Sequence, residues 1–184
     1  AIDMVKLKKI VKKYYIKIIE DAAEAIGVKL KNKYIGCYGD ISCFSFNGNK
    51  TITSGSGGMV VTNSKTIEKK IRHLSTQAKT SMTEFIHDEI GYNYRMSNIH
   101  SAIGLAQLEK INLYLYKKKK IASRYIEAFK NMKNLSWISP IDEVDSSWWL
   151  FTLTTNNNKK TANLILEELN KNGIQARKLW KPLN

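Results

Sequence analysis

Residues 44–58, FSFNGNKTITSGSGG, place Lys50 between an apolar segment and a turn rich in Gly, Ser and Thr. Lysine is seldom fully buried unless it has a partner or a chemical role. A lysine amine at a strand end can form a Schiff base when its surroundings favour the neutral form. The small residues around it leave room for a flat ligand and expose backbone N–H groups. Taken alone, Lys50 is equally compatible with an ordinary turn lysine.

Apolar segments alternate with helical patterns on both sides of this turn. Residues 16–21 (IKIIED), 41–46 (ISCFSF) and 57–63 (GGMVVTN) predict strands, and residues 64–75 predict a helix capped by Ser64. Residues 4–15 predict an earlier helix, and residues 98–132 predict one long helix or two helices with a bend near 112–116. Residues 76–92 are polar without a clear period and predict a long ordered loop. This alternation predicts an α/β fold.

The composition excludes several classes of protein. The net charge is +14, but only four of the 30 basic residues are Arg, whereas base and phosphate recognition favours Arg. We therefore expect lysine bias and no nucleic-acid partner. No apolar segment is long enough to span a membrane, and Cys37 and Cys43 match no metal or redox motif, so we expect a reduced, cytoplasmic chain without a metal.

Polar residues follow two of the predicted strands. Asp21 stands at the end of the first strand, where α/β proteins gather their sites, and Glu24 follows three residues later. Asp21 and Glu24 could equally form the capping box of a short helix. Ser45, five residues before Lys50, could offer a hydroxyl to a phosphate group.

The order of these motifs is more specific than any one of them. IIEDAAEAIG (18–27), YGDISCFSFNGNKTITSGSGGMVVTN (38–63) and HDEIGYNYRMSNIHSAIGLAQLE (87–109) together resemble the DegT/DnrJ/StrS family of pyridoxal-phosphate-dependent nucleotide-sugar aminotransferases. Within that family the chain looks closest to enzymes for UDP-linked 4-keto sugars of the bacillosamine and legionaminic acid branch, with the GDP-perosamine type as close relatives.

The resemblance implies a role for each matching residue. Lys50 matches the lysine that binds pyridoxal 5′-phosphate covalently and carries protons, and Asp21 matches the acid that pairs with the pyridine nitrogen. Glu24 falls beside the cofactor ring, and Ser45 matches a phosphate ligand. Asn93 matches an asparagine that reaches the phosphate from a neighbouring subunit, which implies a homodimer with shared active sites. Two further residues, His87 and Arg95, are candidates for substrate contact.

The resemblance also implies the fold and the reaction. We expect a partial large domain of fold type I, with a mixed, mostly parallel sheet, over residues 1–112, and a partial small α+β domain over 113–184. The implied reaction transfers an amino group from glutamate to a 4-keto nucleotide-linked deoxysugar. The N-terminal part and the extreme C-terminus of the family are expected to be missing. The chain also reads Gly55-Ser56-Gly57-Gly58 where many members have Gly-Glu-Gly-Gly, which puts any role of an acid there in doubt.

Two alternatives remain open at this point. A pyridoxal-phosphate-dependent sugar dehydratase shares this fold, but such relatives carry His in place of the lysine, so Lys50 argues against it. A non-catalytic or regulatory remnant that binds nucleic acid is the other.

Overall fold

The computed structural model describes residues 2–81, 83–156 and 158–181. The chain divides into two compact units, one formed by Ala1–Lys120 and Pro140–Trp149 and the other by Ile121–Ser139 and Leu150–Asn184. In chain order the elements are α1 (Met4–Lys12), β1 (Ile19–Asp21), β2 (Lys29–Leu30), β3 (Lys33–Tyr34), β4 (Ile41–Ser45), β5 (Gly58–Val61), α2 (Lys65–Leu74), α3 (Asn98–Leu108), α4 (Ile111–Phe129), β6 (Ser136–Trp137), β7 (Val144–Asp145), β8 (Leu153–Thr154) and α5 (Lys159–Lys171).

The central sheet of the first unit has the strand order β1-β4-β5. β1 and β4 run parallel with Asp21 beside Cys43, whereas β4 and β5 run antiparallel with Ser45 opposite Gly58. The sheet is therefore mixed, as predicted. Because side chains alternate between faces, Asp21, Cys43 and Ser45 share one face of the sheet.

The opposite face of the sheet contains a buried carboxylate, Glu20, which is 6% exposed. Its Oε2 accepts a hydrogen bond from the Gly36 backbone N–H at 2.9 Å, and its Oε1 accepts from Tyr38 N at 2.6 Å and from Ser42 Oγ at 3.1 Å. Gly39 N also donates to Oε1. A buried charge is tolerated when hydrogen bonds replace its water shell, and these four donors do so.

A second small sheet, β3-β2-β7, lies in the same unit. β2 pairs antiparallel with both neighbours, and Leu30, one of its two residues, lies beside Val144 of β7. These two-residue strands leave no periodic signal in the sequence. The core around them is built from apolar side chains of α1, of β2 and of the segments that flank β1, β2 and β3: Met4, Ile18, Ala22, Val28, Leu30, Ile35 and Tyr38.

The helices follow the sequence pattern closely. Ser64 caps α2, since its side chain accepts a hydrogen bond from Ile67 N, as predicted. The 98–132 segment forms two helices, and the break lies at residues 109–110 instead of 112–116. Ser97 caps α3 in the same way, accepting from His100 N. None of the helices that the structure describes combines the length and apolar character needed to cross a bilayer.

The second unit contains the last part of α4, the β6–β8 pair and α5. Asn158 caps α5, and Gly173 follows the helix with φ 75°, the left-handed conformation expected of a residue that ends a helix. Tyr125, Phe129 and Phe151 stack on one another in this unit. Within residues 148–155 (WWLFTLTT) only Leu153–Thr154 form a strand, and residues 174–181 form none.

Candidate active site

Lys50 lies in the connection between β4 and β5, the two antiparallel strands of the central sheet. The connection folds back on itself through hydrogen bonds from Phe46 N to Gly57 O at 2.9 Å and from Ser54 N to Phe46 O at 3.0 Å. Lys50 N donates to Asn47 O at 3.1 Å. The backbone on both sides of Lys50 is thus fixed by local hydrogen bonds, which hold the lysine at the end of β4.

The Lys50 side chain is only 12% exposed and has two charged or polarisable partners. Its Nζ lies 3.4 Å from Glu24 Oε1 and 4.2 Å from the centre of the Trp149 ring. The Trp149 indole N–H donates to Asn49 O at 2.7 Å, one residue before the lysine. The amine is therefore held between a carboxylate and an aromatic face.

The Gly/Ser loop after Lys50 packs against the segment that leads into α3. A Cβ added at Gly57, where φ is 93°, would come within 2.7 Å of the Met96 sulfur. The Ser54 side chain also contacts this sulfur, at 3.6 Å. Glycine is therefore required at position 57 by both its conformation and its neighbour. Ser56 and Gly55 are exposed beside it, so the acid found here in many family members has no counterpart in this chain.

Asp21 ends β1 on the same face of the sheet as Ser45. Its Oδ1 accepts from Ala23 N at 3.1 Å, which makes a local turn, and no helix follows among the described residues of this segment. The helix-cap alternative for Asp21 and Glu24 is therefore wrong. Ser45 is half-buried, and its Oγ accepts from Asn47 N at 3.4 Å.

Four of the predicted site residues meet at one edge of the sheet. β1 and β4 are parallel, so their carboxyl ends, which carry Asp21 and Ser45, lie side by side. Glu24 follows Asp21 by three residues and contacts Lys50 directly. A primary amine, two carboxylates and a hydroxyl are thus carried at or just after these strand ends, the position at which α/β proteins bind ligands.

The other three predicted residues lie in or just after the 76–92 loop. Asn93 is exposed and pairs with Thr76 in an isolated β-bridge. His87 is exposed, and its Nδ1 lies 2.7 Å from Gln77 O; because a carbonyl only accepts, Nδ1 is the donor. Arg95 is exposed and makes no ion pair with any residue that the structure describes. Among residues 2–81, 83–156 and 158–181, no hydrogen bond joins these three to Lys50 or Asp21.

His73, Asp88 and Glu89 form a separate cluster whose ligand atoms lie within 4.8 Å of one another. His73 Nε2 lies 2.6 Å from Asp88 Oδ1, and this hydrogen bond holds the pKa of the Asp88 carboxyl below its usual value. Lys70 pairs with Glu89. The two carboxylates already have protein partners, His73 and Lys70, and the absence of a metal stays a prediction.

Trp149 is the site residue that sequence reasoning missed. It follows Trp148 in a segment with a strand pattern, and an aromatic residue in such a pattern predicts sheet packing. The one available signal was the rarity of tryptophan, four in 184 residues, with two of them adjacent.

Residues 1–184 match the model of the DegT/DnrJ/EryC1/StrS aminotransferase family. The chain belongs to this family. It is 40% identical over 186 residues to GDP-perosamine synthase of Escherichia coli O157:H7, covering 99% of the chain and 49% of that protein. It is 31% identical to UDP-4-amino-4,6-dideoxy-N-acetyl-beta-L-altrosamine transaminase of Helicobacter pylori, covering 100% of the chain and 50% of the relative. The chain thus spans about half the length of these curated relatives.

Two solved structures confirm the fold. Helicobacter pylori PseC, an aminotransferase involved in the biosynthesis of pseudaminic acid, superposes with a TM-score of 0.92 at 31% identity, covering 100% of the chain and 50% of PseC. E. coli GDP-4-keto-6-deoxy-D-mannose-3-dehydratase with bound hydrated PLP has a TM-score of 0.85 at 25% identity, over 96% of the chain and 49% of that enzyme. The predicted family and the α/β fold of type I pyridoxal-phosphate enzymes are therefore confirmed.

The residues at the sheet edge fit pyridoxal 5′-phosphate, the cofactor of this family. The cofactor needs an amine for its aldehyde, a carboxylate for its ring nitrogen and donors for its phosphate. Lys50, Asp21 and Ser45 carry an amine, a carboxylate and a hydroxyl, the three kinds of group required, at or just after adjoining strand ends. The half-buried setting of Lys50 beside a glycine-rich loop leaves access for a flat ring.

Proposed function

We propose that this protein is a pyridoxal-phosphate-dependent aminotransferase that moves an amino group from glutamate to a 4-keto nucleotide-linked deoxysugar, in the synthesis of glycan precursors. The observation that carries the proposal is the placement of the Lys50 amine, 12% exposed and 3.4 Å from Glu24, at the strand edge where Asp21 ends β1. The family membership and the relatives that act on GDP- and UDP-linked sugars support it.

Lys50 carries the central chemistry in this proposal. When bound, the cofactor supplies an electron sink for the pair left behind when the substrate Cα loses its proton. The Lys50 amine holds the cofactor covalently between reactions. Once released, its Nζ would take the proton from the substrate Cα as a general base and would pass it to the former aldehyde carbon of the cofactor. Because the backbone of the turn that follows β4 is fixed, Lys50 Nζ would stay close to the atoms between which the proton moves.

Three neighbouring residues orient the cofactor in the proposal. The Asp21 carboxylate pairs with the ring nitrogen and keeps it protonated, which strengthens the electron sink. Glu24, which contacts Lys50 here, would lie at the side of the ring and would hold the lysine amine in place after its release from the cofactor. The Ser45 hydroxyl donates to the phosphate, where a neutral donor binds without adding charge.

The loop residues are assigned to shared sites of a homodimer. We propose that Asn93 binds the phosphate held by a second copy of the chain, and that His87 and Arg95 contact the substrate. All three are exposed, and an asparagine or arginine that serves another subunit has to be presented outward. We further propose a cytoplasmic location, no nucleic-acid partner, and a large domain over residues 1–112 followed by a small one over 113–184.

The experiment combines cofactor trapping with an assay for amino transfer. The protein is incubated with pyridoxal phosphate, reduced with borohydride and mapped by mass spectrometry, and the amino transfer from glutamate is followed with 4-keto sugars linked to GDP or to UDP. We expect label on Lys50, and we expect Lys50→Ala to abolish both label and transfer while Lys8→Ala, at an exposed helix position, changes neither. Label spread evenly over the lysines, with no transfer in either panel, would overturn the proposal.

A sugar dehydratase is the second candidate, because one of the similar solved structures is such an enzyme. Lysine at position 50 favours amino transfer. The product separates the two reactions, since amino transfer adds nitrogen to the sugar and consumes glutamate, whereas dehydration removes a hydroxyl group.

A further inference from the structure

Trp149 contacts the lysine turn through both its ring face and its indole N–H. The face of its ring lies 4.2 Å from Lys50 Nζ, and its N–H donates to Asn49 O at 2.7 Å. Trp149 is 8% exposed, so neither contact is shared freely with solvent. An aromatic face attracts a cation, and the attraction strengthens as water is excluded.

The backbone of Trp149 is fixed independently of its side chain. Lys118, on α4, donates through Nζ to Trp149 O at 3.0 Å. The preceding residue, Trp148, has φ 50°, in the left-handed region that bulky residues rarely adopt. Such a conformation persists only where surrounding contacts enforce it, and it is concentrated at functional sites.

Simple core packing does not account for this arrangement. A tryptophan that only fills space needs apolar neighbours and some partner for its N–H. Here the N–H binds the peptide immediately before Lys50 and the ring covers the lysine amine itself. The two contacts fall on consecutive residues, Asn49 and Lys50, and Glu24 approaches the Lys50 amine at 3.4 Å.

We propose that Trp149 is a positioning residue for Lys50. Its N–H fixes the backbone of the turn, and its ring face, together with Glu24, holds the uncombined amine in one place. The positioning itself is inferred from these contacts. Only its purpose rests on the proposed function: the amine returns to the same point after each release from the cofactor.

The two contacts can be separated by substitution. Trp149→Phe keeps an aromatic face and loses the N–H donor, whereas Trp149→Leu loses both. Trp137→Phe is the matched control, because Trp137 is a half-buried tryptophan of β6 outside the site. Circular dichroism and thermal unfolding establish that each variant is folded, and Trp149→Phe, the smaller change, keeps the test valid if Trp149→Leu does not fold.

The first measurement needs no cofactor. Each lysine is acetylated at limiting reagent and its rate is read by mass spectrometry, with exposed lysines such as Lys8 as internal references. Removing the ring uncovers the amine, so we expect acetylation of Lys50 to accelerate about tenfold in Trp149→Leu. We expect a smaller acceleration, about threefold, in Trp149→Phe and none in Trp137→Phe.

The second measurement follows labelling of Lys50 by the cofactor, which should decrease where acetylation increases. Pyridoxal phosphate followed by borohydride should label Lys50 about tenfold less in Trp149→Leu, because the amine is no longer held at one place. The rate constant of the reaction of the loaded protein with L-glutamate should fall about as much, while the glutamate concentration at half-maximal rate stays unchanged.

The outcomes separate the two proposals. Faster acetylation together with weaker cofactor labelling supports positioning by Trp149. Unchanged acetylation and labelling of Lys50 in folded Trp149→Phe and Trp149→Leu would overturn it. If the wild-type protein fails to take up pyridoxal phosphate at Lys50, the proposed function fails, and the acetylation rates alone still decide whether Trp149 holds the amine.

Discussion

Glu20 and Asp21 occupy consecutive positions of β1 and lie on opposite faces of the sheet. Glu20 is 6% exposed and receives four hydrogen bonds, whereas Asp21 is exposed at the edge where the site residues meet. The strand alternation assigns them different tasks, since the first carboxylate holds turns together and the second is available to a ligand. Substitutions at the two positions should therefore have separable effects.

Glu20→Gln should destabilise the fold strongly. The amide would point an N–H₂ donor at backbone and hydroxyl donors that now bind a carboxylate, leaving buried groups unsatisfied. We expect a loss of about 3 kcal/mol in the free energy of unfolding, measured by urea denaturation. Glu167→Gln, on the exposed side of α5, is the control. Equal midpoints for the two variants would show that the Glu20 cluster does not support the fold.

Asp21→Asn should leave stability nearly unchanged and impair the reaction with glutamate. Asn can still accept the bond from Ala23 N, so the turn survives, but its side chain carries no charge to keep the cofactor ring nitrogen protonated. We expect the half-reaction followed by visible absorbance to slow by about 10- to 100-fold. A normal rate in a fully loaded Asp21→Asn protein would contradict the assignment of Asp21.

Asp40 should contribute an acid-dependent part of the stability. Its Oδ2 accepts from Ile18 N and its Oδ1 pairs with Lys17, each at 2.9 Å, and mainly the Ile18 N–H bond lowers the pKa of this carboxyl from 3.8. A depressed pKa in the folded state means that the contribution is complete above about pH 5 and is lost as the pH falls through 3.8 and below.

The pH dependence is measured as the urea midpoint of wild type and Asp40→Asn between pH 7 and pH 3 (both about a unit or more from the ordinary carboxyl pKa). We expect the two midpoints to converge towards low pH, because the wild-type advantage disappears on protonation. A constant difference at every pH would show that charge on Asp40 plays no part.

The His73–Asp88 hydrogen bond should fasten the 76–92 loop to α2. The loop also bonds to this helix and to itself through Tyr92 N to Leu74 O and Gln77 N to Tyr92 O, at 2.7 and 3.0 Å. We expect His73→Ala to speed hydrogen exchange of the Gln77 and Tyr92 amides by about tenfold, with the exchange of β4 unchanged. Unaltered hydrogen exchange in the loop would show that the backbone hydrogen bonds alone keep it ordered.

The cluster of His73, Asp88 and Glu89 is expected to bind no metal. Lys70 and His73 already face the carboxylates of Glu89 and Asp88. Dialysis against EDTA, and separately the addition of Zn²⁺, should therefore leave the thermal midpoint within error. A rise with Zn²⁺ that disappears in His73→Ala would identify a metal site here.

Local signals in the sequence explain what could be predicted. The α1 and α2 helices, the Ser64 cap and the strands β1, β4 and β5 depend on neighbouring residues and were found in their places. The lysine turn belongs to the same class, because its glycines and its flanking strands are adjacent in the chain. The neighbouring positions of Asp21 and Ser45 follow from the rule that parallel strands end at one edge, whereas the roles of these residues and of Lys50 stay predictions.

Contacts distant in the chain explain what was missed. β2 and β7 have two residues each, too few to show a period, and pair across more than a hundred positions. The hydrogen bonds to Glu20 come from residues 16 to 22 positions away. The sequence alone therefore could not show that Glu20 is a structural carboxylate while Asp21 faces the candidate site. The break between α3 and α4 lies in Glu109-Lys110, residues that are good helix formers and give no warning.

The bond between the Trp149 indole and Asn49 O joins residues 100 positions apart, whereas the hydrogen bonds that shape the turn itself span eleven positions or fewer. Loop-closure entropy rises with the logarithm of the enclosed length, so the hairpin carrying Lys50 can close early in folding while its aromatic cover has to wait for the intervening chain. Catalytic competence would then lag behind the appearance of the sheet during refolding. Because the chain has four tryptophans, the difference in indole fluorescence between wild type and Trp149→Phe, recorded with sheet circular dichroism after dilution from urea, would give that delay.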